Sequence, residues 1–340
     1  MTATGTATRE LTYRGAFNEG LRQVMREDPD VFVAGEDVGA PGGVFGTFAG
    51  LADEFGERRA VDTPISEQAI VGLGIGAAVV GLRPVIDLMF MDFVLVAMDQ
   101  IANQAAKLKY MFGGTAQLPL TITTAGGAGL SAAAQHSQSL EAILAHVPGL
   151  KVVMPSSAAD FKGLLKAAVR DDNPVLFFMD LALGFETGEV PDGDHLVPLG
   201  KSATLRTGTD VALISYAKTV HTCIDAARRL ADHGISSEVL DLRSLKPLDE
   251  AAILATARKT GRVIVVHEAS RSCGIGAEVA ALIAEHAFDA LKAPVLRLTG
   301  PDAPAPASWP LEQAFVPQAD AIVAAASRLV KHQERVTEPA

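Results

Sequence analysis

Short apolar runs alternate with helical spacing along almost the whole chain. Val31–Ala34, Pro84–Phe90, Leu118–Thr124, Lys151–Met154 and Pro174–Phe178 are apolar or β-branched stretches that read as strands buried on both faces. Between them, Leu95–Tyr110 and Ala158–Arg170 carry helical patterns. A second series follows, with strands over Asp210–Ser215, Ser237–Asp241, Arg262–Val266 and Pro294–Leu298 and helices starting near His221, Asp249 and Ala277. The alternation predicts an α/β protein of two domains, each a mostly parallel sheet with helices on both faces. Glu186–His195 is polar, acidic and rich in turn residues, which marks a boundary. The domains then fall at 1–185 and 201–332, with a linker at 186–200 and a tail at 333–340. The last five residues of that tail, Val336–Ala340, read as disordered.

One helical stretch departs from amphipathic spacing. Ala69–Val80 is apolar on every face and crowded with glycine. A helix of that kind is expected to be buried, and its glycines cost stability unless something approaches closely. Pro64 and Ser66 are helix-start residues, which places Glu67 in the first turn. Two readings of Glu67 follow. In a dry site, desolvation would raise its pKa toward neutrality. On a surface, it would be an acid favouring a helix N-terminus.

Composition narrows the function classes. At 340 residues the chain is long for one core, and 49% hydrophobic with 20% charged residues describes a globular protein slightly richer in apolar residues than average. The excess points to cover by a partner subunit. A net charge of −11 argues against a nucleic-acid partner and against an anionic membrane surface. No apolar run reaches the length of a membrane span, and the N-terminus lacks the charged and apolar regions of a signal peptide. Cys223 and Cys273 lack metal-ligand spacing and read as two free, buried thiols in a reducing cytoplasm. Trp309, in a proline-rich surface stretch, suggests no function.

Four motifs carry chemistry: Gly35–Gly39 with Glu36 and Asp37, Thr63–Glu67, Met89–Phe93, and Gln135–Ser139 with His136. In this order and spacing they resemble the β subunits of the thiamine-diphosphate-dependent dehydrogenase component of 2-oxoacid dehydrogenase complexes. That family includes the pyruvate, branched-chain and acetoin enzymes. The resemblance runs from about Leu11 to about Val330. It implies a pyrimidine-binding domain followed by a transketolase-like C-terminal domain.

The resemblance implies thiamine diphosphate as cofactor. Its aminopyrimidine acts as an internal base only as the imino tautomer, which a buried carboxyl bonded to the ring nitrogen stabilises. Glu67 matches that carboxyl. Phe90 and Phe93 match the pyrimidine pocket, with strand-end packing as the other reading for Phe90. Asp92 between them reads equally well as a cap for the helix near Leu95. His136 matches the family's active-site histidine, which orients substrate, moves protons and serves acyl transfer to a lipoyl group. Glu36 either approaches the cofactor through water or pairs with a basic neighbour. Ala168, Asp171 and Asn173 match a segment whose backbone carbonyls hold K+ in some relatives, with a plain turn as the alternative.

The chain lacks the Gly-Asp-Gly segment with a following Asn that binds Mg2+ in thiamine enzymes. The similar string Asp192–Asp194 lies in the polar linker without suitable context. The resemblance therefore implies an α subunit holding Mg2+ and the diphosphate, an assembly of two α with two β chains, and docking to a lipoyl acyltransferase core. His267–Gly276 resembles a dinucleotide-binding glycine motif only loosely, and Leu242–Asp249 looks like a packing and interface element.

Gly42–Gly46 and Tyr110–Gly114 look most like the acetoin branch. Met179–Phe185 departs from the family, which carries a glutamate, a basic residue and often a tyrosine there. That departure keeps open a non-oxidative carboligase or transketolase-like half-enzyme. A catalytically inactive scaffolding subunit is a third reading, against which stand Glu67 and His136 together.

Overall fold

The computed structural model describes residues 7–337. In chain order the elements are β1 (Thr8–Thr12), α1 (Tyr13–Glu27), β2 (Val31–Gly35), α2 (Leu51–Phe55), β3 (Ala60–Asp62), α3 (Glu67–Val79), β4 (Arg83–Phe90), α4 (Ala106–Met111), β5 (Thr121–Gly126), α5 (Glu141–His146), β6 (Lys151–Val153), α6 (Ala158–Arg170), β7 (Val175–Asp180) and β8 (Thr187–Pro191). They continue with β9 (Ala203–Arg206), β10 (Val211–Ser215), α7 (Thr219–Asp232), β11 (Ser237–Asp241), β12 (Ser244–Lys246), α8 (Glu250–Thr260), β13 (Val263–Ser270), α9 (Ile275–His286), β14 (Leu296–Gly300), α10 (Trp309–Phe315) and α11 (Ala319–Thr337). The chain divides into two compact units. One comprises 1–126 with 143–199, the other 127–142 with 200–340.

In the first unit, strands run in the order β6-β7-β5-β4-β2-β3, and every pair is parallel. β5 and β7 are buried at every position, so both faces of the sheet centre are covered. Continuous apolar runs read as doubly buried strands for this reason. On one side α1 and α6 pack together. α1 is capped by the Thr12 hydroxyl, which accepts from Gly15 N at 3.1 Å, and it buries Tyr13, Ala16, Phe17, Gly20, Leu21, Val24 and Met25 at helical spacing. A Cβ on Gly20 would meet the Lys162 backbone oxygen at 3.1 Å, so the glycine sets how closely the two helices approach. Edge-to-face rings, Tyr13 with Phe161 and Phe17 with Phe177, tie this helix layer to the sheet.

In the second unit the order is β14-β13-β10-β11-β9, parallel except for the antiparallel edge strand β9. α7 and α11 contribute Cys223, Ala226, Leu230, Ile322 and Ala326 to its core.

Several expectations change. The polar stretch 186–200 is not structureless: β8 pairs antiparallel with β1, from Thr8 opposite Pro191 to Thr12 opposite Thr187. Leu95–Tyr110 is not one helix, since a 3-10 turn at Met91–Leu95 leads to a π-helical segment at Asp99–Ala105 before α4. Cys223 is buried, with its thiol pushed up to about 12 by desolvation, but Cys273 is exposed in the turn before α9 at φ 56°. The disordered tail expected at Val336–Ala340 lies outside the described residues from 338 onward, and α11 runs to Thr337. No helix among the described residues is long and apolar enough to cross a membrane.

Candidate active site

Because the strands of the first sheet are parallel, their carboxyl ends lie along one edge, where α/β proteins place their ligands. Each motif of the sequence leaves from such an end. Glu36 follows β2, Glu67 follows the β3 turn, Phe90 ends β4 with Phe93 in the 3-10 turn after it, and the His136 loop follows β5. Thr63 N donates to Gly35 O at 3.0 Å, which holds the Thr63–Glu67 turn beside Glu36.

Glu36 is half-buried, and its pKa is raised by burial first and then by the charges of Asp37 and Glu67. Among the described residues it makes no ion pair, so its surroundings are acidic and the basic-partner reading is not supported. Gly39 closes the same turn, with its N–H donating to Asp62 Oδ1 at 2.5 Å.

Ser66 occupies the N-cap of α3 with no side-chain cap bond, and Glu67 is the first helical residue. Glu67 is half-buried. The helix is not buried all round, because it packs Ile70, Val71, Gly74 and Ala78 inward and leaves Leu73 46% and Val80 79% exposed. Its glycines divide the same way. A Cβ on Gly74 would strike Ile86 and Leu120, whereas one on Gly72 or Gly76 meets nothing within 4 Å. The enclosed, dry setting expected for Glu67 is thus not completed by the residues of this chain.

Phe90 sits between Phe45 and Phe93, with ring centroids 5.2 and 5.9 Å away, both edge-to-face. Phe45 belongs to the Gly42–Gly46 turn, so two motifs of the sequence meet in one aromatic row. Asp92 is buried within the 3-10 turn and does not occupy its N-cap, which is Phe90.

A residue the sequence did not single out shapes this end of β4. Asp87 is buried, accepts from the Thr123 hydroxyl at 2.7 Å and from Met89 N at 3.2 Å, and has its carboxyl pushed up to about 6 by desolvation. The β4–β5 register shifts between Asp87 and Phe90, and Met89 takes φ 59°. That irregularity re-aims Phe90, as bulges beside functional sites do.

The Ala168–Asn173 segment forms a turn closed by its own bonds. Asp171 N donates to Ala168 O at 3.2 Å, and the Asp171 carboxylate accepts from Asn173 N at 2.9 Å and Asn173 Nδ2 at 2.8 Å. Arg83 donates to the Val169 and Asp171 oxygens at 3.2 and 3.4 Å. Met179, Leu181 and Leu183 of the divergent segment lie in the core, and the Arg14 guanidinium sits 4.9 Å over the Phe185 ring. Leu181 therefore serves packing.

His136 lies in the 127–142 loop, which belongs to the second unit. It is half-buried, followed by buried Ser137, and its N–H donates to Ala133 O at 3.3 Å. Gly127 N donates to Gln138 O at 3.2 Å and closes the loop. Residues 134 and 137–140 line a cavity of about 540 Å³ together with Glu268, Asp302 and Phe315.

His267 and its glycines resolve the loose dinucleotide motif. The buried imidazole stacks on Tyr216, accepts from Gly276 N at Nε2 and meets Ala269 O at 3.1 Å through Nδ1. Acceptance at Nε2 defines the neutral Nδ1–H tautomer, and desolvation brings the pKa down to about 4. A Cβ on Gly274 or Gly276 would strike this ring at 2.8 or 2.6 Å. These glycines make room for an imidazole, which is reason enough for their presence.

Residues 9–183 match the transketolase pyrimidine-binding domain and residues 200–322 the transketolase C-terminal domain. The chain is 46% identical over 334 residues to the β subunit of acetoin:2,6-dichlorophenolindophenol oxidoreductase of Bacillus subtilis (strain 168), covering 95% of this chain and 98% of that one. It is also 46% identical to the 2-oxoisovalerate dehydrogenase β subunit of the same organism, over 94% of this chain and 99% of that one. Identity to the pyruvate dehydrogenase E1 β subunit of Rhizobium meliloti (strain 1021) is 42%, over 94% and 70%. A split-gene transketolase, solved as an inactive β4 tetramer, shares the fold at TM-score 0.79 and 24% identity, over 94% of this chain and 98% of that one. By these matches the chain belongs to the transketolase-type family of β subunits that includes those of the acetoin, 2-oxoisovalerate and pyruvate dehydrogenases.

Proposed function

We propose that this chain is the β subunit of a thiamine-diphosphate-dependent 2-oxoacid or acetoin dehydrogenase, active only with an α subunit. The observation that carries the reading is the pairing of Glu36 with Glu67 beside the Phe45–Phe90–Phe93 row, at the carboxyl edge of a parallel sheet. Neighbouring carboxylates favour a site that gains a proton or accepts one in a hydrogen bond, and the rings offer an apolar flank to a heterocycle. Both features fit an aminopyrimidine. Thiamine diphosphate, when bound, supplies a nucleophilic carbon that cleaves the bond beside a carbonyl and holds the resulting electron pair.

In this reading the Glu67 carboxyl hydrogen-bonds the pyrimidine nitrogen, and Glu36 lies beside it at the same strand edge. Phe90 and Phe93 flank the ring. His136 transfers protons at the substrate oxygen and assists acyl transfer to a lipoyl arm. The backbone oxygens of Ala168, Asp171 and Asn173 are the candidate ligands for K+. Among the described residues no group of three His, Cys, Asp or Glu side chains could hold a metal ion. Mg2+ and the diphosphate are assigned to the α subunit, because the sequence lacks the Gly-Asp-Gly segment with a following Asn. The open face of α3 and exposed Tyr110, Met111 and Phe112 support a partner contact. An assembly of two α with two β chains, docked on a lipoyl acyltransferase core, completes the proposal.

The test is turnover of the chain co-expressed with its α subunit, with thiamine diphosphate, Mg2+ and an artificial electron acceptor. Pyruvate, acetoin and branched 2-oxoacids are offered separately. Dye reduction with one of them supports the reading. Substrate loss without dye reduction, with a new carbon–carbon product, supports the carboligase alternative. Glu67→Gln should lower turnover at least about 100-fold in an intact assembly, and a rate near wild type would overturn its role.

A further inference from the structure

The loop that carries His136 is pinned at both ends by acidic side chains far away in sequence. Gly127, Gly129 and Ser131 take φ values of 90°, 128° and 54°. Left-handed residues at alternate positions turn neighbouring N–H groups toward one side, a concavity that binds anions. Here protein carboxylates fill it. Glu312, fully buried on α10, accepts from Gly129 N at 2.9 Å and from Ser131 N at 3.1 Å. Glu268, buried on β13, accepts from Ala128 N at 2.7 Å and from the Ser139 hydroxyl at 3.2 Å. A Cβ on Gly127 would meet Glu268 Oε1 at 2.5 Å, so the glycine is required for this approach. Beyond the histidine, buried Glu141 accepts from the Tyr216 hydroxyl at 2.6 Å.

The anchors thus fall at 128–131 and 139–141, and His136 lies between them. We propose that Glu312 and Glu268 are positioning residues of the reaction, holding the backbone before His136 and the Ser139 side chain after it so that its imidazole is pre-set for proton transfer. This rests on the reading of His136 as the acid–base group. Charged acceptors make the strongest backbone hydrogen bonds, and a misplacement of about 1 Å in a catalytic group can lower a rate by about 100-fold. Glu312 does the larger share, because both of its backbone donors belong to the glycine arm that leads into the loop.

The experiment uses the assembled enzyme. His136→Ala is measured first: if it leaves acyl transfer and proton transfer unchanged, the reading of His136 fails, and the positioning proposal is overturned with it. If His136→Ala is impaired, Glu312→Ala decides the proposal on its own. The expected result is a kcat lowered about 10- to 100-fold, with KM for the carbonyl substrate within about twofold of wild type. Hydrogen exchange should rise in peptides spanning 127–142 and not elsewhere. In Glu312→Ala with His136→Ala, the rate should match that of His136→Ala alone, because one effect acts through the other.

Glu312→Gln keeps the shape of α10 and one carbonyl acceptor, so it should recover part of the loss. It is also the variant to read if Glu312→Ala does not fold, since its amide then faces a donor at Ser131 N and gives the same signature at smaller size. Glu268→Ala, which removes the acceptor of Ala128 N and of the Ser139 hydroxyl, should lower kcat about 3- to 10-fold, less than Glu312→Ala, and an unchanged kcat would remove Glu268 from the proposal. Unchanged kcat in Glu312→Ala, losses that multiply in the double variant, or loop exchange equal to wild type would each overturn the proposal.

Discussion

Asp87 is a buried carboxyl without a cationic partner in its hydrogen bonds: its oxygens accept from one hydroxyl and one backbone N–H. Burial raises it from an ordinary 3.8 to about 6, so the folded chain holds this proton to higher pH than the unfolded chain does. The contribution to stability is therefore fully present below about pH 4 and is lost as pH rises through about 6, on the order of 3 kcal/mol by neutrality. Asparagine can reproduce both bonds, accepting from Met89 N and donating to the Thr123 hydroxyl, without a charge to desolvate. Asp87→Asn should thus melt higher than wild type near pH 8, with the difference shrinking as pH falls toward about 4, which calorimetry of the isolated chain would show. Parallel pH profiles for the two proteins would remove Asp87 as the cause. His267, brought down to about 4, acts in the opposite sense, with its contribution present above about 6.5 and lost as pH falls. It is common to both proteins and cancels in the comparison. Glu36, Glu67, Phe90, Phe93 and His136 stood out in the sequence as candidates because each lies in a short motif. Asp87 was not, because a single acid inside an apolar strand looks the same whether it shapes a bulge or ends a core.

At the scale of elements, what sequence shows depends on whether the neighbours are local. β5, β7 and α6 were legible because burial on both faces, or on one helical stripe, is written into consecutive residues. β1 and β8 were not, because strands reading Thr-Arg-Glu-Leu-Thr and Thr-Gly-Glu-Val-Pro have little to bury and are defined by pairing across 175 or more residues. α3 shows the limit from the other side. Its all-round apolarity predicts burial on every face, whereas the structure buries only the Ile70, Val71, Gly74 and Ala78 side. Gly74 serves this chain's own sheet, whereas Leu73 is 46% exposed and a Cβ on Gly76 would meet nothing within 4 Å among the described residues. Leu73→Glu should accordingly leave the isolated chain's stability within about 0.5 kcal/mol, because the residue is already half-open. The same substitution should prevent co-purification with the α subunit, since it would bury an unpaired charge. A chain that melts with wild-type stability and still assembles would show that this face is not the contact.

At the scale of the whole molecule, the chain folds as two compact units. The 127–142 loop leaves a strand of the first sheet yet packs within the second unit, and Glu268 and Glu312, which pin it, lie more than 100 residues downstream. No spacing rule pairs Gly129 with Glu312, which is why that part of the site stayed hidden while His136 did not. The chain itself is read as one half of a cofactor site. It offers carboxylates and aromatic rings suited to a pyrimidine, but no cluster of His, Cys, Asp or Glu among its described residues suited to a metal ion. With a net charge of −11 it also has little to offer a diphosphate directly. Calorimetric titration of the isolated chain with thiamine diphosphate should therefore give weak heat that does not change when Mg2+ is added. After assembly with the α subunit, binding should tighten by at least about 100-fold and require Mg2+, because the diphosphate and its ion then gain ligands that the pyrimidine contacts lack. Glu67→Gln in that assembly should still bind, with Mg2+ dependence retained, while turnover is lost, since the carboxyl acts on the pyrimidine proton and not on the ion. Tight, Mg2+-dependent binding by the isolated chain would place a complete cofactor site within it and refute the division of labour between the two subunits.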